Sequence, residues 1–203
     1  MATQPFVLAA GRQTSARTLA EFVAAARQKP GTMSYASNGN GGLQHLAMEL
    51  FSRSAGIQLL HVPYKGAAPA IADVIGGQVD ALFISLQGAG SNIAGGNLRA
   101  LGLAAGRRLP VAPEIPTFAE AGFPNVTITQ WYAMMAPKGT PPAIVEQLNR
   151  HVKAALGSPD ISEKLKSVGT EPVGSSPEQM RTFLAGEVRK WAEVAKTVGV
   201  RIE

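Results

Sequence analysis

The sequence predicts an α/β protein in which a mostly parallel sheet is followed by a helix-rich C-terminal part. Between about residues 14 and 125, short apolar segments alternate with amphipathic helical segments, as in sheets whose parallel strands are joined by helices. The segment 81–84 is apolar without alternation, which is typical of a strand buried on both faces. After residue 126 three amphipathic helices follow, with only one or two strands to cover them.

Capping residues and glycines divide the first part of the chain. Thr18 and Glu21 form a capping box ahead of the first helix, and Gly56 is placed to end the second. Strands are predicted over residues 33–36, 59–62, 81–84 and 98–104, with helices between them. A second capping box, Thr117 with Glu120, predicts one more short helix after a proline-containing loop.

The C-terminal part is predicted to open with one long extended run over residues 126–136. Its helices begin at Thr140 as the cap, at Ser158-Pro159 and at Ser176-Pro177, and a short strand is predicted over 170–173. The apolar stripes of the helices at 141–156 and 177–198 need a surface to bury against. This part therefore resembles a piece of a domain whose sheet is supplied elsewhere, and we expect self-association through residues 126–203 or local disorder there.

Composition excludes several classes of protein. The chain has 203 residues, of which 45% are hydrophobic and 16% charged, and this excludes a largely disordered chain. The longest apolar stretch falls short of the 18 residues or so of a transmembrane helix. The segment MATQPFVLAA has no basic residue before its apolar run, so we expect no secretory signal within this sequence.

Charge and cysteine content argue against nucleic-acid binding and exclude cysteine chemistry. The net charge is +5, but the basic residues are scattered and aromatic residues make up only 6%, so nucleic-acid binding is not expected. A basic protein does attract anionic ligands. The absence of cysteine excludes disulfides, thiolate catalysis and cysteine-ligated metal, and it fits an oxidising compartment.

The strongest local motif is a glycine-rich loop between a predicted strand and a predicted helix. Glycines admit positive φ and a close approach of the backbone to a ligand, and a helix N-terminus attracts anions. The motif lacks the third glycine and the acidic residue of a dinucleotide fingerprint, and it lacks the lysine of a P-loop. It is predicted to bind an anion, the alternative being a tight turn without a ligand; its residues are Ser37, Asn38, Gly39, Asn40, Gly41 and Gly42.

Two further loops follow predicted strands, and they carry Tyr64 with Lys65 and Ser85 with Gln87. Parallel strands place such loops along one edge of the sheet, where ligands bind in open α/β sheets. Lys65 is interpreted either as an anion contact or as a solvated side chain.

Residues for catalysis are few. His45, His61 and His151 lie on different predicted elements without metal-ligand spacing, and there is no Gly-x-Ser-x-Gly motif. His45 is placed to cap its helix or contact a ligand, whereas His61 is interpreted as a packed strand residue. Trp131 is assigned either to a cleft or to interdomain packing. We therefore expect no catalytic residue, no metal and no cofactor.

Several motifs together resemble a known family. The segments Tyr35-Ala36-Ser37-x-Gly39-Asn40-Gly41-x-x-x-His45-Leu46, His61-Val62-Pro63-Tyr64-Lys65-Gly66-Ala67-Ala68-Pro69 and Gly76-Gly77-Gln78-Val79-Asp80 are similar to the tripartite tricarboxylate transporter solute receptors, the Bug family. Later segments agree in the same order, among them Pro116-Thr117-x-x-Glu120-Ala121-Gly122, Ala136-Pro137-x-Gly139-Thr140-Pro141 and Glu171-Pro172-Val173-Gly174.

The resemblance implies a periplasmic-binding-protein-like (type II-like) fold of two α/β lobes that holds a small carboxylate in a cleft and delivers it to membrane transporter subunits. It implies a complete lobe over residues 14–125, with residues 1–13 and 126–203 as hinge segments and an incomplete remnant of the other lobe. It also implies that backbone N–H groups at Ser37, Gly39, Asn40 and Gly41 contact the ligand. The location implied is the periplasm.

The sequence departs from the family pattern. The N-terminal segment that builds most of the other lobe is not in this sequence, and Gly42 stands where the family usually has a hydroxyl residue. The segment Ile84-Ser85-Leu86-Gln87-Gly88 replaces a family segment that begins with an acid, which favours plain carboxylates or aromatic acids over amine-bearing ligands. Two functions are alternatives to a solute receptor: an intracellular ligand sensor or regulatory interaction protein built on the same lobe, and a small-molecule enzyme. An upstream in-frame signal peptide would favour the receptor.

Overall fold

The computed structural model describes residues 1–199 of the chain. Its strands are β1 (Ala2–Gly11), β2 (Ser34–Ser37), β3 (Leu60–Pro63), β4 (Ala81–Ser85), β5 (Leu98–Leu103), β6 (Thr129–Tyr132) and β7 (Glu171–Pro172). Its helices are α1 (Leu19–Gln28), α2 (Leu43–Ala55), α3 (Ala67–Ile75), α4 (Leu86–Ala94), α5 (Pro142–Gly157), α6 (Pro159–Ser167) and α7 (Pro177–Val198). The strand–helix alternation predicted from the sequence is confirmed.

The main sheet has the strand order β3-β2-β4-β1-β5. β2 runs parallel to β3 and β4, as predicted, whereas β1 runs antiparallel to β4 and β5. The sheet is therefore mixed rather than mostly parallel. Residues 6–10 form a continuous apolar run that is buried on both faces, which is the pattern of a central strand.

β1 is longer than the main sheet and joins it to a second, small sheet. Its residues 6–11 pair with β4 and β5, and its residues 2–5 pair with β6 on one side and β7 on the other. The sheet of the lobe predicted over residues 14–125 therefore includes β1, although residues 1–13 were predicted to be a hinge segment. Only the first few residues of β1 lie outside that sheet.

Helices cover both faces of the main sheet. On one face, α1 and α2 pack through Phe22, Met48 and Phe51 into a core that includes Phe6 and Phe83. On the other face, α3 and α4 bury small apolar residues against Val7, Ala9, Leu82 and Ile84. This two-sided core fixes α2 and α3 relative to the strands that precede them.

Several predicted helix boundaries are confirmed. The Thr18 side chain caps α1 by accepting from the Glu21 N–H, and Gly56 ends α2 in a left-handed conformation with φ 61°. Thr140 is not the cap of α5: the helix begins after Pro141, and the Thr140 hydroxyl donates to the Pro137 carbonyl instead.

Two other predicted elements are shorter than expected. The capping box of Thr117 and Glu120 is present, but it closes only turns and no helix follows. Of the extended run over 126–136, only β6 pairs as a strand. Val126 and Ile128 are buried in the core of the main lobe, which is the main sheet with the helices that cover it; the backbone of Ile128 bonds to Ala104 and Phe6.

The C-terminal helices bury little. No residue of α5 or α6 is buried, and α7 buries only Val194. Large side chains of these helices remain exposed, among them Ile144 at 46%, Leu148 at 42% and Val188 at 62%. Within residues 1–199, every helix is too short or too polar to cross a membrane.

Candidate carboxylate site

Three loops meet at one edge of the main sheet, as the sequence predicted. β3, β2 and β4 are parallel neighbours, so the loops that follow them all leave at their carboxyl ends. The Tyr64 N–H donates to the Ser37 carbonyl at 2.9 Å, which joins the first two loops directly. β1 passes from the main sheet to the small sheet at this same edge, because Phe6 pairs with Ser85 at the end of β4.

The glycine-rich loop is bent by residues that only glycine adopts without strain. Gly39 and Gly41 have φ values of 127° and 72°. The buried Ser37 hydroxyl accepts from the Gly39 N–H at 3.2 Å and so holds the start of the loop, while Asn38 and Asn40 are exposed. Ser37 is therefore a structural member of the loop rather than an exposed donor.

The helix after this loop begins without a side-chain cap. Gly42 is the N-cap of α2, and the first intrahelical bond is from the Leu46 N–H to the Gly42 carbonyl. The N–H groups of Leu43, Gln44 and His45 come before that bond and have no acceptor within the helix. These donors and the positive end of the helix dipole face the sheet edge, which is the arrangement that binds anions.

His45 holds the loop rather than facing solvent. Its Nδ1 accepts from the Gly41 N–H at 3.0 Å, and the residue is only 9% exposed. Its ring stacks on His61, with 3.9 Å between centroids, and His61 stacks on Tyr35 at 4.9 Å. The Nε2 of His61 lies 2.6 Å from the Ser37 hydroxyl. His61 thus bonds to the start of the loop at Ser37, and His45 bonds to its end at Gly41.

Both histidines are held neutral by their surroundings. Burial, with a smaller contribution from the neighbouring His45, lowers the pKa of His61 to about 4. Burial also lowers the pKa of His45, and Glu49 opposes that shift. Because a neutral Nδ1 accepts from Gly41, the proton of His45 is on Nε2.

The second loop also leads into an uncapped helix. Gly66, with φ 114°, is the N-cap of α3 and supplies no side chain. Lys65 is exposed beside this N-terminus. The Tyr64 hydroxyl donates to Asp73 at 2.6 Å, and burial together with this carboxylate raises the pKa of Tyr64 to about 12. Tyr64 is therefore a neutral hydroxyl that is already bonded within the lobe.

The third loop differs from the other two. The Ser85 hydroxyl caps α4 by accepting from the Gly88 N–H, and the Gln87 amide oxygen accepts from the buried Gln4 at 3.2 Å. Both side chains are engaged in structural bonds, one within α4 and one to β1. Their role as ligand contacts stays a prediction.

Trp131 lies on β6, outside the main sheet. Its ring packs edge-on against Phe183 of α7, with 5.8 Å between centroids, and its backbone pairs with Thr3. The structure thus places this side chain in contacts of the C-terminal part.

The groups at this edge suit the binding of a carboxylate. The edge joins two helix N-termini without side-chain caps and one exposed lysine. Within residues 1–199, no group of three His, Cys, Asp or Glu side chains is arranged to hold a metal ion. A concavity of about 390 Å³ lies elsewhere, between Arg12, Arg99 and Glu114.

His61 is a packed strand residue, as predicted: it lies on β3 and stacks on Tyr35 and His45. Its contact with the Ser37 hydroxyl, which ties it to the glycine-rich loop, was not predicted. The signal was the pairing of neighbouring strands: β2 and β3 are parallel, and their register puts Tyr35 opposite His61. Finding it required knowing that register in advance.

The comparisons agree on one family. Residues 1–200 match the family described as tripartite tricarboxylate transporter family receptor, TctC. A protein encoded in the tcbD–tcbE intergenic region of a Pseudomonas species is 39% identical over 194 residues, which are 95% of this chain and 58% of that protein. The BugT protein of Bordetella pertussis is 37% identical over 98% of this chain and 61% of its own length. The chain thus spans about three fifths of the length of these curated relatives.

Solved structures share the fold. An R. palustris protein solved with adipate is 35% identical with a TM-score of 0.89, over 98% of this chain and 67% of that chain. MatC from Rhodopseudomonas palustris, solved with bound malate, is 29% identical with a TM-score of 0.83, over 95% of this chain and 67% of that chain. The match in sequence covers nearly the whole chain, and the chain therefore belongs to the tripartite tricarboxylate transporter receptor family.

Proposed function

We propose that this chain forms the carboxylate-binding lobe of a solute receptor that serves a tripartite tricarboxylate-type transporter. The ligand carboxylate lies at the edge of the main sheet, between the glycine-rich loop and the loop that contains Lys65. It accepts from backbone N–H groups at the start of α2 and α3. The ligand is a plain di- or tricarboxylate or an aromatic acid.

One observation carries this proposal: of the three helices that begin at this edge, α2 and α3 lack side-chain caps and only α4 has one. The other helices without such a cap, α5 and α6, begin with proline, which has no N–H to offer. Thr18 caps α1, Ser85 caps α4 and Ser176 caps α7, while Gly42 and Gly66 supply no side chain to α2 and α3. Uncapped N–H groups need an acceptor, and a carboxylate at a helix N-terminus gains about 0.3–1 kcal/mol from the dipole, up to about 2 kcal/mol when partly buried.

The structural neighbours support the ligand class. The R. palustris protein was solved with adipate and MatC with malate, and both are linear dicarboxylates. The absence of an acid in the third loop, where Ser85 and Gln87 stand, supports a ligand without an amine. We propose that the remaining contacts in a complete receptor come from the other lobe.

Location and partners follow from the same proposal. Two of the similar solved structures are described as a periplasmic transporter and as the periplasmic binding protein BugD. We place this lobe in the periplasm, with the membrane subunits of the transporter as its partners. It binds and releases its ligand unchanged, so adipate recovered after incubation should be chemically identical to adipate added.

Self-association through residues 126–203 is a further part of the proposal. Helices α5 and α6 bury none of their residues, and Met134 and Met135 before them are 69% and 61% exposed. Each large apolar side chain left in water costs about 1.5–3 kcal/mol relative to burial. A second copy that covers these stripes would recover much of that free energy.

Thermal shift and calorimetry with adipate and malate test the binding site. Gly41→Val places a β-branched side chain at φ 72° within the loop, so it should abolish carboxylate binding. Gly31→Val is the matched control, because Gly31 has φ 73° and precedes β2 at the opposite edge of the sheet.

The two variants carry the same backbone strain, so both should lower the melting temperature by similar amounts. Only Gly41→Val should lose the adipate-dependent increase in melting temperature. Equal adipate binding by Gly41→Val and the parent chain would contradict the assignment of the loop, and equal loss in both variants would point to strain alone.

A further inference from the structure

We propose that His45 is the positioning residue of the glycine-rich loop: as a neutral, Nε2-protonated imidazole stacked on His61, it holds the Gly41 N–H and thereby fixes the loop that receives the carboxylate. This inference rests on the proposed function for its consequence in binding. Its geometry stands on the described residues alone.

The first step is the direction of the bond between the loop and its own helix. The Gly41 N–H donates to His45 Nδ1 at 3.0 Å. A backbone N–H is always a donor, so Nδ1 must carry a lone pair and the ring proton must lie on Nε2. A protonated His45 has no acceptor to offer, and Gly41 would lose its partner.

The second step is what holds the ring of His45. It lies 3.9 Å from the His61 ring at an interplanar angle of 12°, and His61 is stacked in turn on Tyr35. The His61 ring is itself held by the Ser37 hydroxyl at 2.6 Å from Nε2. The stack therefore joins β2, β3 and α2 immediately beneath the loop.

The third step is that the surroundings oppose protonation. A charge on either ring would face the other ring across the stack, and burial disfavours both cations. The other ionisable groups against the stack are Tyr35 on β2 and Glu49 on α2, which bond to each other at 2.7 Å. Glu49 favours the charged form of His45 only partly, because burial is the larger influence.

The fourth step is what the bond does for the ligand. Gly41 lies at φ 72°, one residue before the cap of α2. With its N–H tied to His45, the neighbouring donors at Asn40, Leu43 and Gln44 keep fixed directions towards the sheet edge. Preorganised donors bind a carboxylate without a further cost of ordering the loop.

Two substitutions at His45 separate positioning from packing. His45→Asn keeps an acceptor oxygen close to the position of Nδ1, whereas His45→Phe keeps an aromatic ring for the stack but has no acceptor. The readouts are ¹⁵N NMR of the imidazole tautomers, hydrogen exchange of the Gly41 amide, and calorimetry with adipate.

We expect the parent chain at pH 7 to show His45 protonated on Nε2, with a coupling through the hydrogen bond between Gly41 N–H and Nδ1. His45→Phe should speed exchange of the Gly41 amide about tenfold, while His45→Asn should stay within about threefold of the parent. His45→Phe should bind adipate more weakly than His45→Asn, and His45→Asn should bind it nearly as well as the parent. The melting temperatures of the two variants should be alike.

An Nδ1-protonated His45, or equal Gly41 exchange in His45→Phe and the parent, would overturn the inference. If the parent binds neither adipate nor malate, the proposed function fails, while the tautomer and the Gly41 exchange still decide the positioning role. If adipate binds equally well to both variants, the loop is held by other contacts and the inference is wrong.

Discussion

Replacing Phe51 by leucine should destabilise the main lobe through the loss of aromatic contacts. Phe51 lies in the second half of α2 and meets Phe83, Phe118 and Phe123 edge-on, at 6.4, 5.0 and 5.5 Å between centroids. Edge-on aromatic pairs contribute about 0.5–1.5 kcal/mol each beyond the area they bury. Three such pairs predict that Phe51→Leu lowers the free energy of unfolding by about 1.5–4.5 kcal/mol.

Urea denaturation followed by far-UV circular dichroism measures this loss. Phe183→Leu is the matched control, because Phe183 lies edge-on against Trp131 and is only partly buried. It should cost about 0.5–1.5 kcal/mol. If Phe51→Leu cost no more than Phe183→Leu, the assignment of the core to the cluster around α2 would be refuted.

Three further predictions concern the loop, pH and association. Asn40→Ala should weaken adipate binding only modestly, since the donors of the loop are mainly backbone N–H groups, and calorimetry measures it; a total loss would show that the side chain binds the ligand. The free energy of unfolding should fall as the pH falls from about 6.5 to about 4. In that range His61 is protonated in the unfolded chain but stays neutral in the folded chain, where its pKa is lowered to about 4. The slope is at most about 1.4 kcal/mol per pH unit, and less because the ring is only half-buried, so His61→Phe should flatten a plot of urea stability against pH. Replacing Ile144 and Leu148 together by aspartate should shift sedimentation towards monomer with little change in the melting temperature, and a parent chain that sediments as a monomer at all concentrations would contradict self-association.

Local sequence signals predicted most of the elements of the main lobe. Capping residues such as Thr18 and helix-ending glycines such as Gly56 act within one turn, so their effects are readable from neighbours in the chain. The prediction for Thr140 was wrong because its hydroxyl donates to the Pro137 carbonyl, so that Pro141 is at the N-cap position and α5 has no side-chain cap.

Long-range pairing was not readable in the same way. The apolar run of residues 6–10 was visible, but nothing local shows that β1 would insert between β4 and β5 and run antiparallel to both. His61 has the same explanation, since its role depends on the register that sets it opposite Tyr35. The three-loop edge was predictable because it follows from strand direction alone.

The central claim is that a carboxylate binds at the edge where α2 and α3 begin, and an amide NMR titration with adipate tests it most directly. The account predicts that the largest shifts fall on Asn40, Leu43, Gln44 and Lys65. It would be contradicted if those amides stayed unchanged while the shifts gathered around Arg12 and Arg99, which line a separate concavity of about 390 Å³.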